Sequence, residues 1–358
     1  MQLNQPTSEK LTASQNDYLA QTTLATVVRA IAKTLDVQYG IDPLPIFQRI
    51  GIEFDHINGN ELRLPVTTLS ILWQRCAELS GDEAFGLRVA AHTGAVNLYG
   101  IDLALYASQT FGESIRRHVE FVRVLSTVAM PTLHTAPNGD HLLQVHIHGP
   151  HVPPEVARDY FVALHLRIFQ RQIGLPLCHL LRRLELRRPA PHDPTPWEEL
   201  GVPVFFGQPL GTFVFKADAW GLDLKGANQH LLAQVEQPIL HQLIRLGLPL
   251  PACALRRRLA DMLAYSPNLE TLADAIGLAP AQLRASLRYQ KLSFAKLLDQ
   301  AREAQALHLL LDPTLTLEQI ANRTGFSKPS GFNRAFRRWR AITPLSYRNQ
   351  MTRTHDPL

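Results

Sequence analysis

Cysteine is scarce in this sequence, and its scarcity narrows the classes of protein to be considered. The three cysteines, Cys76, Cys178 and Cys253, stand far apart and in no metal-ligand spacing, so neither a disulfide framework nor a zinc centre is indicated. No run approaches about 18 consecutive apolar residues, as a membrane-spanning helix requires. Residues 1–20 are polar, lack an apolar signal core and are predicted to be a flexible tail. These features favour a cytoplasmic protein with free thiols.

The charge is distributed unevenly along the chain. Residues 251–358 contain 16 lysines and arginines against eight acidic residues, a net charge of +8, whereas residues 1–250 contain 20 against 23, a net charge of −3. A basic segment joined to a mildly acidic one indicates a part that binds a polyanion and a part with another role. A chain of 358 residues is long enough for two domains of about 150 residues each.

Two kinds of hydrophobic pattern alternate between residues 21 and 225. Some segments are apolar every three or four positions, as in helices that bury one face, and others alternate, as in half-buried strands. The predicted helices are 66–79, 84–91, 98–106, 113–125 and 154–172, and the predicted strands are 141–148, 180–186 and 212–215. We therefore predict an α+β domain over 21–225, followed at 226–250 by a connecting helix, kinked at Pro238, and a linker.

From residue 251 onward the patterns are helical throughout. Thr316 with Gln319 forms a capping box, and Ser327 and Thr343 are expected to cap the helices that follow them. We predict an all-α domain of seven helices over 251–350 and a tail at 351–358. The helices are placed at 252–264, 269–276, 280–290, 293–311, 316–323, 328–339 and 344–350.

A short motif occurs twice in this helical segment, 48 residues apart. Ala-Asp-Ala-Ile-Gly-Leu at 273–278 is matched by Ala-Asn-Arg-Thr-Gly-Phe at 321–326. In each copy a short helix ends at a glycine, Gly277 or Gly325, and a second helix follows. Glycine supplies the positive φ of such a tight turn, so the repeat predicts two helix-turn-helix units.

The second helix of each unit has one apolar face. Leu283 and Leu287 are expected to face inward in the first, and Phe332, Phe336 and Trp339 in the second. The stretch 323–340 contains six basic residues and no acidic one. A solvated basic face is the alternative interpretation, but the repeat and the charge segregation favour contact with double-stranded DNA, where arginine binds guanine or phosphate.

The C-terminal segment resembles the AraC/XylS family of bacterial transcription regulators. The family signature stands at 321–339, with the glycine, serine, phenylalanine and arginine positions matched, and continues in the Thr-Pro-x-x-Tyr-Arg of 343–348. The resemblance implies that the helices at 280–290 and 328–339 enter successive major grooves. Because Ala281 and Ala285 cannot donate hydrogen bonds, the first unit is expected to read bases through Arg284 and through thymine methyl groups. The predicted DNA contacts are Ala281, Gln282, Arg284, Ala285, Arg288, Ser327, Lys328, Pro329, Ser330, Gly331, Asn333, Arg334, Arg337 and Arg338.

The upstream domain resembles the arabinose-binding type of N-terminal domain found in one subgroup of this family. The resemblance rests on the segments 72–73, 81–88, 100–106 and 112–115. It implies effector sensing and self-association, without implying that arabinose is the ligand, and it favours an activator that responds to a small organic effector. The expected partners are promoter DNA, RNA polymerase, the effector and a second copy of the chain; no cofactor is expected, and the effector-binding residues are unknown.

Two other functions, an enzyme and a metal site, find less support in the sequence. A methyl-accepting repair enzyme needs further ligand cysteines, which Cys178 and His179 lack, so no enzymatic activity is expected. His146 and His148 share a face of a predicted strand and are two conceivable metal ligands, but no third ligand is visible. A constitutive repressor and a metal-responsive regulator without an organic ligand remain the alternatives.

The helix between the two units is predicted to be a rigid spacer. Residues 294–310 span about 26 Å at about 1.5 Å per residue, which with the flanking turns brings the two reading helices about one DNA turn, about 34 Å, apart. Its inner stripe is predicted at Phe294, Leu297, Leu298, Ala301 and Leu309. Ala306 is expected to point outward.

Overall fold

The computed structural model describes residues 20–57, 61–94 and 98–354, which form two compact units divided between Gln242 and Leu243. The division falls within the segment predicted as connecting helix and linker, and the limits of the predicted domains stay a prediction. Of the predicted tails at 1–20 and 351–358, residues 1–19 and 355–358 lie outside the described residues, whereas 351–354 are helical and not a tail. No helix in the described part of the chain combines the length and apolarity needed to cross a bilayer.

The first unit combines helices with two small sheets, as the α+β prediction requires. Its longest helix, α7, has an N-terminal half that packs so closely on α4 that a Cβ on Gly86 would collide with the carbonyl of Val156. The helices are α1 (Thr26–Tyr39), α2 (Leu44–Ile50), α3 (Val66–Ser80), α4 (Phe85–Ala91), α5 (Ile101–Tyr106), α6 (Phe111–Phe121), α7 (Glu155–Ile173), α8 (Leu177–Leu180), α9 (Thr195–Glu198) and α10 (Gln229–Arg245), whose residues 243–245 belong to the second unit.

A five-stranded sheet lies in the second half of this unit, with strand order β3-β4-β7-β5-β6. All neighbours are antiparallel except the pair β5 and β6, which is parallel. A separate antiparallel pair, β1 with β2, lies near the N-terminus. The strands are β1 (Thr22–Leu24), β2 (Arg63–Pro65), β3 (Ala129–Thr135), β4 (His141–Ile147), β5 (Leu181–Glu185), β6 (Val204–Phe205) and β7 (Gly211–Phe215).

An aromatic cluster joins the sheet to the helices. Phe169 of α7 lies edge-on to Phe213 and Phe215 of β7, with ring centroids 5.8 and 5.5 Å apart, and Phe111 of α6 completes the group. All four side chains are buried. Burying such rings contributes about 1.5–3 kcal/mol each, so this cluster fixes α6 and α7 against the sheet.

The second unit contains seven helices beyond α10 in the described residues, as predicted. Two helix-turn-helix pairs, α12 with α13 and α15 with α16, are joined by α14, and α17 continues to Thr354, four residues past the predicted end. The helices are α11 (Ala252–Met262), α12 (Leu269–Ala275), α13 (Pro280–Tyr289), α14 (Phe294–Leu310), α15 (Leu317–Arg323), α16 (Pro329–Arg340) and α17 (Pro344–Thr354).

Two expectations from the sequence, the cap at Ser327 and the outward side of Ala306, are wrong, and strands β1, β2, β3 and β6 were not predicted. Strand β3 was not predicted, because Pro131 breaks its pattern; the strand lies at the edge of the sheet, where a residue without an N–H is tolerated. Ser327 does not cap α16, since Lys328 is the N-cap residue and makes no side-chain cap bond. Ala306 does not point outward: it is fully buried in the core between α14, α15 and α16.

Candidate DNA interface and a cavity in the first unit

The two helix-turn-helix units have the same backbone hydrogen bonds in their turns. In the first, Gly277 has φ 71°, and the N–H of Leu278 donates to the carbonyl of Ala273 at 2.9 Å. In the second, Gly325 has φ 76°, and the N–H of Phe326 donates to the carbonyl of Ala321 at 2.9 Å. The positive φ predicted at both glycines is confirmed, and the repeat in sequence corresponds to a repeat in structure.

The first helix of each unit begins with a reciprocal capping box. Asn268 and Thr271 form it in α12, and Thr316 and Gln319, as predicted, form it in α15. Helix α13 has only half of this arrangement: the N–H of Ala279 donates to Oε1 of Gln282 at 3.1 Å. Gln282, a predicted DNA contact, is thus also part of the helix start.

The predicted inner and outer faces of α13 and α16 are those found. Leu283, Leu287, Phe332 and Phe336 are buried, whereas Trp339 is half-buried. Every predicted DNA contact reaches the surface. Ala281, Gln282, Arg284, Ala285, Arg288, Ser327, Lys328, Pro329, Ser330, Arg334, Arg337 and Arg338 are exposed, and Gly331 and Asn333 are half-buried.

The exposed arginines differ in whether their side chains already form an ion pair within the chain. Arg284 lies 3.8 Å from Glu270, and Arg338 lies 2.6 Å from Asp299 of α14. Arg334 and Arg337 form no ion pair or side-chain hydrogen bond with any residue that the structure describes. A guanidinium without an internal partner has all its donors available to a base or a phosphate.

Helix α14 contacts the turn of the second helix-turn-helix pair and stabilises it, a role that the sequence did not indicate. Nη2 of Arg302 donates to the carbonyl of Gly325 at 3.2 Å, and the guanidinium lies 4.8 Å from the ring centroid of Phe326. A Cβ on Gly325 would lie 2.5 Å from the carbonyl oxygen of Leu263, which follows α11. The turn at Gly325 therefore packs directly against α14 and against the residue that follows α11.

A mainly apolar cavity of about 390 Å³ lies in the first unit, between α7, α3, the end of α6 and strands β3, β4 and β7. This volume lies within the range of small-molecule sites, about 300–1,000 Å³. Its apolar lining includes Val27, Leu69, Trp73, Val145, Phe161 and Phe213. The sequence did not reveal it, because its walls come from segments distant along the chain.

Two buried histidines form a polar region in this apolar lining. His118 of α6 and His165 of α7 are 3% and 5% exposed, with ring centroids 4.5 Å apart. Burial lowers the pKa of His118 well below its usual value, an effect that His165 reinforces, and burial lowers the pKa of His165 to about 4. Both imidazoles are therefore uncharged at neutral pH.

A charged network closes another part of the cavity wall. Arg188 pairs with Asp159 of α7 and with Glu83, and its guanidinium lies 4.3 Å from the ring centroid of Trp197. Burial raises the pKa of Asp159 to about 6, although the contact with Arg188 opposes this shift. The network ties the segment after β5 to α7.

The histidines considered as metal ligands have other surroundings. Nε2 of His146 lies 3.1 Å from the hydroxyl of Thr132, and His148 lies beyond the end of β4. No group of three or more potential metal ligands occurs within the described ranges. None of the three cysteines, all of which lie in the described ranges, forms a disulfide bond.

Comparison with known proteins covers both units. Residues 40–224 match the family model of the arabinose-binding domain of AraC transcription regulators, N-terminal, and residues 272–350 match a helix-turn-helix domain model. The HTH-type transcriptional regulator VirS of Mycobacterium tuberculosis is 39% identical over 81 residues, which are 23% of this chain and only 24% of VirS. The ornithine utilization regulator of Pseudomonas aeruginosa is 25% identical over 317 residues, 88% of this chain and 93% of that protein.

A solved structure supports the same architecture. The transcriptional regulator CdpR from Pseudomonas aeruginosa matches with a TM-score of 0.50 and 21% identity, covering 90% of this chain and 98% of that chain, which is a likeness of fold. The arabinose-binding-domain match alone spans more than half of the present chain. The chain belongs to the AraC/XylS family and is a DNA-binding helix-turn-helix transcription regulator with an N-terminal ligand-binding domain.

Proposed function

We propose that the chain recognises a specific operator through α13 and α16, each in one major groove. The observation that carries this proposal is the pair Arg334 and Arg337, exposed on one side of α16 and without an internal partner among the described residues. The remaining DNA contacts proposed from the sequence lie on the same surfaces of the two helices. Arg338, paired with Asp299, is assigned to a flanking phosphate.

The proposal extends to regulation by a small organic effector. The cavity in the first unit supplies the site, because it is mainly apolar and large enough for a metabolite. Effector binding activates transcription by RNA polymerase, and the chain acts in the cytoplasm as a homodimer through its first unit. The acidic balance of residues 1–250 supports a protein-binding rather than DNA-binding role for that region.

Replacing Arg334 by alanine is expected to weaken operator binding by about 1–3 kcal/mol and to relax the preference at one base pair, because bidentate contacts of arginine to guanine carry that discrimination. Arg337→Ala is expected to weaken binding to all sequences alike and to lower the salt slope of log K by about 1, as a phosphate contact does. Fluorescence anisotropy with operator and scrambled duplexes at several salt concentrations measures both effects.

The matched control is Arg75→Ala, which removes one exposed arginine from α3 in the first unit. It changes the net charge by the same amount and should leave both duplex affinities unchanged. Equal losses on operator and scrambled DNA for Arg334→Ala would show that Arg334 does not read bases. Binding that does not respond to salt would contradict the whole DNA interface.

The regulatory part of the proposal has two readouts on the full chain. Sedimentation should give a dimer at micromolar concentration, and transcription in vitro from an operator-bearing promoter should rise when the effector is added. A monomer with and without the effector would remove the dimer. Transcription that falls on addition of the chain, whatever ligand is present, would indicate the repressor instead.

A further inference from the structure

The polar atoms of the side chains that line the cavity determine which functional group of a ligand can bind there. Nδ1 of His165 is hydrogen-bonded to the backbone carbonyl of Phe161 one turn earlier in α7. A carbonyl oxygen only accepts, so Nδ1 carries the proton of the neutral ring and Nε2 is left as an acceptor. That buried Nε2 has no hydrogen-bond partner in the described residues.

His118 supplies the second unpartnered nitrogen. Its Nδ1 is also buried without a hydrogen-bond partner among the described residues, and no contact fixes its tautomer, so it is able to donate. An unmade hydrogen bond of a buried polar atom is costly and is usually explained by a ligand, an ion or water. The two rings, 4.5 Å apart, are so close that a group serving both must be compact.

All but one of the charged side chains that line the cavity are paired within the described residues. Glu155 pairs with Arg158, Asp159 pairs with Arg188, and Glu185 lies 2.7 Å from Nε of Arg183. Arg187, a further lining residue, is exposed to solvent. With uncharged imidazoles and no unpaired buried cation, the site offers little compensation for a carboxylate that leaves water. A carboxylate also has no proton to donate to Nε2 of His165.

We propose that this cavity binds a small, mainly apolar molecule through one hydroxyl group, which donates to Nε2 of His165 and accepts from Nδ1 of His118. This inference rests on the proposed role of the first unit as the effector domain and specifies the class of effector: an uncharged alcohol or phenol with an aromatic or aliphatic body. The apolar lining around Trp73, Phe161 and Phe213 holds the body, and the histidine pair selects the head.

Three probes with the same body test the head group: 2-naphthol, naphthalene and 2-naphthoate. Titration calorimetry with the full chain at neutral pH, without DNA, is expected to show 2-naphthol binding about tenfold more tightly than either of the others, from the two hydrogen bonds that only the hydroxyl can make. Quenching of tryptophan fluorescence, with Trp73 in the cavity wall, gives a second readout.

The variants His165→Phe and His118→Phe test whether the two histidines cause the preference for 2-naphthol over naphthalene. Each variant is expected to bind 2-naphthol no better than naphthalene, while its affinity for naphthalene stays within about threefold of the parent. His118→Phe should not lower the melting temperature, because phenylalanine replaces a ring with an unpartnered buried nitrogen beside Phe169. His165→Phe also loses the hydrogen bond from Nδ1 to the carbonyl of Phe161, so it is expected to lower the melting temperature slightly. His92→Phe is the matched control: its Nε2 is likewise buried without a partner, but it does not line the cavity.

The outcomes separate this inference from the regulatory proposal. Binding of none of the probes, equal binding of all three, tightest binding of 2-naphthoate, or loss of selectivity in His92→Phe would each overturn the hydroxyl site. If 2-naphthol binds as expected but leaves operator occupancy and transcription unchanged, the site stands and its proposed role as effector switch fails. If another compound controls transcription equally in the parent and in His165→Phe, the regulator stands and the hydroxyl site fails.

Discussion

Ala306→Pro is expected to destabilise the second compact unit by about 3 kcal/mol or more and to weaken operator binding more than the loss of any single exposed arginine does. Proline in the middle of a helix costs about 3 kcal/mol or more, since it removes one hydrogen bond and collides with the carbonyl four residues earlier. Here that carbonyl belongs to Arg302, whose side chain braces the turn at Gly325. The change therefore disturbs α14 and the second helix-turn-helix unit together. Anisotropy with the operator duplex measures the loss.

Ala306→Gly is the milder partner of this substitution. Because Ala306 is fully buried, glycine removes a packed methyl group as well as helix propensity, at a cost of about 2 kcal/mol, roughly twice the cost at an exposed position. A full operator site should be compared with one whose bases are scrambled in one groove. If the proline variant folds and distinguishes these two sites as well as the parent does, α14 is not a rigid spacer.

Gly325→Ala is expected to destabilise the second compact unit, residues 243–354, by about 3 kcal/mol. Near the melting temperature of this unit, the variant is expected to lose operator binding. A φ of 76° costs a residue with a Cβ about 1–2 kcal/mol. In addition, the Cβ would lie 2.5 Å from the carbonyl oxygen of Leu263, a backbone atom that cannot move without shifting the end of α11. Calorimetry of the full chain resolves the unfolding of each unit.

Gly201→Ala separates the cost of a positive φ from the cost of the contact between the Cβ and a neighbouring backbone atom. Gly201 has nearly the same φ, 77°, but no atom lies within 4 Å of the position of its Cβ. Alanine there should cost only the conformational part, about 1–2 kcal/mol, in the transition of the first unit. An equal cost at both glycines would mean that the approach to Leu263 does not constrain the turn.

The DNA-binding unit was predictable because its signals are local. Each signal lies within a few turns of one helix, and all are confirmed. These signals are each copy of the repeat, at 273–278 and at 321–326, the capping box of Thr316, and the apolar stripe of Phe332 and Phe336. Helix α14 was harder. Its first half buries Leu297 and Ala301, and its second half buries Ala306, Leu309 and Leu310 against α15 and α16. A helix that serves two cores has no single apolar face, so one stripe gave the wrong side for Ala306.

The cavity was not predictable for a different reason. His118 and His165 lie on different helices and meet only in the folded unit, and neither stands in a motif. Strand β3, which forms part of the wall, contains Pro131 and lacks clear alternation. Sequence patterns report which side of an element is apolar, but not which polar atoms remain unpartnered after packing.

The shared core of α14 also limits how this regulator can diverge. Inserting or deleting one residue in α14 would rotate everything beyond it by about 100° about the helix axis and would remove Ala306, Leu309 and Leu310 from their contacts. If α13 and α16 read the operator as proposed, exchanges of exposed side chains on these helices can change the bases that are recognised, whereas the packing of α14 keeps the spacing between the two helices fixed.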